Sequence, residues 1–151
     1  MKKLIALALV LIMCVTLVAC STATTSSSQD DDGYTPKVTV DPKQAAKDKL
    51  YDAYQTCCKG SKTGYASIGS DRLSLTVDTN PNDSSYNSYE SDAIDAIIAI
   101  NSYLSLPSSL IDKMESTRAL DGMQTQNCGT YSVTWNYHPD NGLKVIYEVN
   151  P

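Results

Sequence analysis

A chain of 151 residues holds one compact domain with short extensions and is too short for two of ordinary size. Twelve basic against seventeen acidic side chains leave a net charge of −5, which opposes nucleic acid or anionic headgroups on a basic face. Ten Tyr, one Trp, no Phe and a single His confine any histidine-based relay or metal site to His138.

The chain opens with Met1-Lys2-Lys3, runs apolar from Leu4 to Leu17, and continues Val18-Ala19-Cys20. That is the layout of an export signal, with the cations held back while the apolar run enters the translocon. About fourteen residues at ~1.5 Å each reach roughly 21 Å, well short of the ~30 Å hydrocarbon core. A membrane-spanning anchor is therefore the weaker reading. Leu17-Val18-Ala19-Cys20 resembles the lipobox of bacterial lipoproteins at all four positions. The resemblance implies that residues 1–19 are removed and that Cys20 is acylated to become the new N-terminus. Two acyl chains of the palmitate kind, at ~0.8 kcal/mol per buried CH₂, give a stable anchor. It implies a lipid-anchored protein at the cell membrane, facing outside the cytoplasm, with the membrane as its first partner.

Without Lys2 and Lys3 the mature part has ten basic against seventeen acidic side chains, a net charge of −7. Residues 20–42 read as the lipidated terminus and a tether. Ser21-Thr22-Ala23-Thr24-Thr25-Ser26-Ser27-Ser28 and Asp30-Asp31-Asp32-Gly33 offer too few apolar groups to fold. As a flexible coil this stretch spans about 25 Å, which lifts the following domain off the headgroups. The aspartate run serves solvation better than it serves calcium.

Residues 43–151 carry globular patterning. Ala46, Leu50, Ala53 and Cys57 mark one face of a helix over 43–59, stopped by Gly60. Leu73, Leu75 and Val77 alternate with polar residues as a half-buried strand ending at Asn80-Pro81. A second helix opens at Glu90 or Ser91 with Ile94, Ile97, Ile98 and Leu104 as its core face, and Pro107 breaks it. Leu110, Ile111, Met114 and Arg118 suggest a short third helix ending near Asp121-Gly122. Tyr131, Val133, Trp135 and Tyr137, then Leu143, Val145, Tyr147 and Val149, alternate around Asn141-Gly142 as a β-hairpin. The spacing predicts both turn residues at positive backbone angles. The order predicts a small two-layer α+β fold, two to three helices packed on an antiparallel sheet of three or four strands.

Three cysteines remain for the domain: Cys57, Cys58 and Cys128. Outside the cytoplasm a disulfide is allowed, and the pattern favours Cys57 or Cys58 bridged to Cys128, with Cys57 preferred for its place on the apolar stripe. Such a bridge closes a loop of about seventy residues, on the order of 4 kcal/mol in the chain-entropy model. Three reduced thiols are the alternative. A zinc site with His138 fits less well, because adjacent cysteines do not converge on one metal.

No catalytic motif, metal site or cofactor site survives inspection. Asp78-Thr79-Asn80-Pro81-Asn82 begins like a calcium loop but has Asp83 where the sharp turn needs Gly and Tyr89 at the twelfth place, so ordinary turn chemistry is preferred. Lys62-Thr63-Gly64 lacks the Ser-x-x-Lys partner of penicillin-binding enzymes. Asp92 and Asp95, in the first turns of a helix, serve its dipole, and His138 reads as a solvent-facing turn residue. Tyr86 and Tyr89, in a polar loop, are the candidates for an exposed recognition surface. The expected role is a non-catalytic module binding a protein or envelope component, with an inhibitor or immunity-type lipoprotein inseparable from it. A small secreted hydrolase or an accessory subunit of an envelope enzyme is the alternative.

Overall fold

The computed structural model describes residues 41–58, 64–83 and 88–151. The expected export signal, Cys20, most of the expected tether, Gly60, Lys62-Thr63 and Tyr86 lie outside those residues. Among the described residues no helix is long and apolar enough to cross a membrane.

Asp41 starts helix α1 (Pro42–Cys57). Its carboxylate accepts from the Lys43 N–H at 2.9 Å, and Pro42 sits in the first turn, where an N–H has no helical partner anyway. The buried seam of α1 is Ala46, Leu50, Ala53 and Tyr54, continued by Cys58. Cys57, expected on that seam, is only half-buried. Cys58 follows Tyr54 by one helical turn, so it inherits the inward face.

Five strands form one wholly antiparallel sheet rather than three or four. These are β1 (Ala66–Ile68), β2 (Ser74–Asp78), β3 (Gln124–Cys128), β4 (Tyr131–His138) and β5 (Gly142–Val149), in the order β1-β2-β5-β4-β3. Inward-facing Leu75, Val77, Val133, Trp135, Val145 and Tyr147 join the helix seams in one core. The small α+β architecture follows from this period-2 burial, because one sheet face is apolar and the helices cover it. The opposite face is polar. Thr76, Ile146, Thr134 and Thr125 lie in one cross-strand row, and Lys144 pairs with Asp78 at 3.3 Å across β5 and β2.

The β4–β5 hairpin pairs Trp135 with Val145 and closes at His138 and Gly142. Its loop therefore holds three residues, Pro139-Asp140-Asn141, and only Gly142 (φ 76°) takes the left-handed region. Asn141 was expected there too. In a three-residue loop the single left-handed residue follows the turn instead of forming it. A side chain at Gly142 would also meet Thr79 Oγ1 and Asn80.

Helix α2 (Glu90–Tyr103) ends in a Schellman motif. Leu106 N–H donates to the Asn101 carbonyl at 2.9 Å and Ser105 N–H to that of Ser102 at 3.0 Å. Ser105 holds φ 59° at the position glycine usually fills. Ser105→Gly is expected to raise stability by roughly 0.5–1 kcal/mol, since relief of left-handed strain exceeds the added chain entropy. Chemical denaturation measures this directly, and a loss of stability would contradict it. Helix α3 (Ser109–Ser116) stops five residues before the expected end. Thr117 is extended, and a 3-10 turn over Ala119–Asp121 leads into β3.

The core face of α2 departs from expectation. Its buried residues are Ala93, Ala96, Ile97, Ile100 and Asn101, continued by Leu104, while Ile94 and Ile98 are 42% and 48% exposed. Ala93 and Ala96 let the helix approach its neighbours closely beside Ile97 and Ile100, which leaves Ile94 and Ile98 on the outward side. Asn101 fixes that rotation. Its amide donates to the Ile97 carbonyl at 2.7 Å and to Tyr147 Oη at 3.0 Å, all buried.

Candidate functional site: an apolar groove beside the second helix

The outward face of α2 forms one wall of a groove of about 430 Å³, within the range of small-ligand and anchor pockets. Ile94, Ile97 and Ile98 come from α2, Ile111 and Met114 from α3, and Tyr137 and Leu143 from the end of the β4–β5 hairpin. Each element arrives there for a local reason. The Asn101–Tyr147 hydrogen bond sets the turn of α2. Leu110 and Met114 bury the inner face of α3 and leave Ile111 at the groove. Thr79 locks the hairpin end, its N–H donating to the Leu143 carbonyl and its hydroxyl accepting from the Leu143 N–H at 2.8 Å.

Electrostatically the groove is one-sided. Among the described residues, Glu90 and Glu115 are its charged lining residues, and no Lys or Arg lines it. Nearby cations have other partners: Lys113 donates to Gln126 at 2.7 Å, Lys144 pairs with Asp78, and Arg118 pairs with Asp121 at 3.5 Å. Three large apolar side chains, Ile94, Ile98 and Tyr137, stay 40–48% exposed along this one depression. Their grouping along one depression distinguishes them from apolar side chains exposed singly.

The residues singled out in the sequence fall elsewhere. Tyr89 is half-buried, tilted against the Tyr65 ring at 6.3 Å and packed near Gly64. It supports the core more than it faces solvent. His138 Nδ1 accepts from the Asp140 N–H at 3.2 Å at the hairpin turn, with no nucleophile beside it among its hydrogen-bond partners. Asp92 and Asp95 are exposed and line a separate shallow cavity with Cys57 and Tyr65. Asp78 spends its carboxylate on the Asn80 N–H at 3.0 Å and on Lys144, the ordinary turn chemistry expected of that loop. Asn80 in turn donates to the Asp140 carbonyl, which docks the loop on the hairpin.

The expected bridge from Cys57 or Cys58 to Cys128 is not formed, and all three residues stand as thiols. Cys128 shares a cavity with Pro42, Ala46 and Tyr131, at the beginning of α1, where Tyr131 Oη donates to the Ala46 carbonyl. Cys57 and Cys58 lie at the other end, and Cys57 comes eleven residues after Ala46 in the helix, about 16 Å of rise. A disulfide needs Cα atoms within about 7 Å. Burial pushes the Cys58 thiol up to about 12, with the neighbouring Cys57 adding to the rise.

The groove was hidden in the sequence because Ile94 and Ile98 read as core. The available signal was an excess: Ala93-Ile94 and Ala96-Ile97-Ile98-Ala99-Ile100 are apolar over more of the helix than one buried face requires. Comparison with models of known protein families, with curated proteins and with solved structures returns no match for this chain.

Proposed function

We propose that the chain is an extracytoplasmic lipoprotein, anchored through acylated Cys20, whose α+β domain is a non-catalytic binding module. The observation that carries the binding reading is the shared exposure of Ile94, Ile98 and Tyr137 along one groove. Burying such side chains against a partner contributes about 1.5–3 kcal/mol each before the costs of association. The groove's carboxylates, Glu90 and Glu115, favour a partner segment that flanks apolar anchors with basic residues. The lipobox at Leu17-Val18-Ala19-Cys20 supports the anchor, and a polar tether gives the groove reach beyond the headgroups.

Two experiments test the two halves separately. Metabolic labelling with a fatty-acid analogue is expected to mark the protein, and Cys20→Ala to lose the label and retain uncut precursor. Label kept by Cys20→Ala would remove the anchor. For binding, a photo-reactive residue at position 98 in the full chain is expected to give a discrete cross-linked product in the native envelope. The additional change Ile94→Asp should abolish it, and the same probe at Asn136, on the polar sheet face, should give none. Equal products from positions 98 and 136 would dismiss the groove as the binding surface.

A further inference from the structure

Strand β3 ends the sheet, and among the described residues no strand pairs with its outer edge. The β3–β4 turn holds two residues, Gly129-Thr130, between the paired Cys128 and Tyr131, with Gly129 at φ 80°. In such a hairpin the closing pair exchanges both backbone hydrogen bonds, and the pattern alternates from there. Cys128, Gln126 and Gln124 therefore direct their N–H and C=O groups to β4, while Thr125 and Asn127 direct theirs outward. Among the described residues, no backbone hydrogen bond reaches β3 from that side. Edge strands are normally guarded by charge, proline or a bulge. Gln124-Thr125-Gln126-Asn127-Cys128 has no charge and no proline, and its register with β4 runs without a bulge. A second, independent feature adjoins it: Leu120 and Met123, just before the strand, are 97% and 70% exposed.

We propose that β3 pairs antiparallel with β3 of a second copy of this chain, joining two five-stranded sheets into one. The occupant is a second copy because residues 124–128 carry no charge of their own on a chain of net charge −5, and the charged group that reaches them, Lys113 on Gln126, is a cation and not a further carboxylate. Two acidic molecules meet there without like charges opposed on the strand. The edge is also self-complementary. A two-fold axis through Gln126 sets Thr125 opposite Asn127 in both directions, so the outward groups of each strand satisfy those of the other. The same register lays Met123 over the other copy's Gly129, which has no side chain to obstruct it. Strand β3 contributes no residue to the lining of the Ile94–Ile98 groove, so this pairing does not rest on the binding reading above.

The test uses the full chain in its native membrane. Gln126 meets its own copy at a non-hydrogen-bonded position, with Cα atoms about 4.5 Å apart, near enough for a disulfide. In a Cys128→Ser background, Gln126→Cys is expected to form a dimer under mild oxidation, at least tenfold more than Thr134→Cys on the polar sheet face. Adding Thr125→Lys should cut the product at least tenfold by setting two cations against the shared seam. Thr125→Pro should do the same by deleting an outward N–H that β4 does not use. Both variants change an exposed residue, and an unchanged melting temperature for Thr125→Lys separates loss of pairing from loss of fold. Equal cross-linking at positions 126 and 134, or a dimer that survives Thr125→Lys, would overturn the proposal.

Discussion

Tyr147→Ala lowers the unfolding free energy by about 3–5 kcal/mol, the range for truncating a large buried aromatic residue. Tyr147 is wholly buried on the central strand β5, with β2 on one side and β4 on the other. Its loss opens a cavity and also removes a partner of the Asn101 amide. Tyr147→Phe separates the two effects. The ring stays, and Asn101 keeps its 2.7 Å bond to the Ile97 carbonyl, so the cost falls to about 1 kcal/mol. Denaturant titration of the three proteins reads both values. A loss for Phe as large as for Ala would show that the hydrogen bond, and not the packing, dominates. The alanine variant should also loosen the rotation of α2, on which the outward placement of Ile94 and Ile98 depends.

Alkaline unfolding is the second large effect. Burial raises the Cys58 thiol from 9.0 to about 12 and drives the Tyr147 phenol well above its ordinary 10.0, a rise that the Asn101 hydrogen bond opposes. Tyr131 is raised by burial as well. In each case the folded state keeps its proton at a pH where the unfolded chain has lost it. Stability is therefore fully present below pH 9, falls as the pH rises from 9 towards 12 through Cys58, and falls faster above 10 as the tyrosines join. The slope is at most about 1.4 kcal/mol per pH unit for each group. Denaturation midpoints between pH ~8 and ~11 should decline, with Cys58→Ala flattening the first part of the limb. A level profile to pH ~11 would mean that these groups ionise without leaving the core.

Period-2 and helical patterning made most of the architecture legible. The β4–β5 pair was plain because Val133, Trp135, Val145 and Tyr147 alternate cleanly with polar residues. Strand β3 was not, since Gln124-Thr125-Gln126-Asn127-Cys128 has no apolar alternation and an edge strand needs little. The two-residue Gly129-Thr130 turn before Tyr131 was the signal for it. Strand β1 is three residues long, too short for any period. The core face of α2 misled because the burial was carried by Ala93 and Ala96, while size alone favoured Ile94 and Ile98. The same error concealed the groove, since one of its walls had been counted as interior. The cysteine bridge failed for a different reason. Loop-length arithmetic values a closure whatever the geometry, and only the packing places Cys128 at the opposite end of α1 from Cys57 and Cys58.

The groove as an occupied surface is tested most directly by hydroxyl-radical footprinting of the full chain, purified and in intact cells. Tyr137 and Tyr103 are 40% and 38% exposed, a matched pair of which only Tyr137 lines the groove. In purified protein both tyrosines should oxidise at similar rates, and Ile98 readily too. In cells, Tyr137 and Ile98 are expected to lose most of their labelling while Tyr103 keeps its own. Equal labelling of Tyr137 and Tyr103 in cells would contradict a groove filled by a partner.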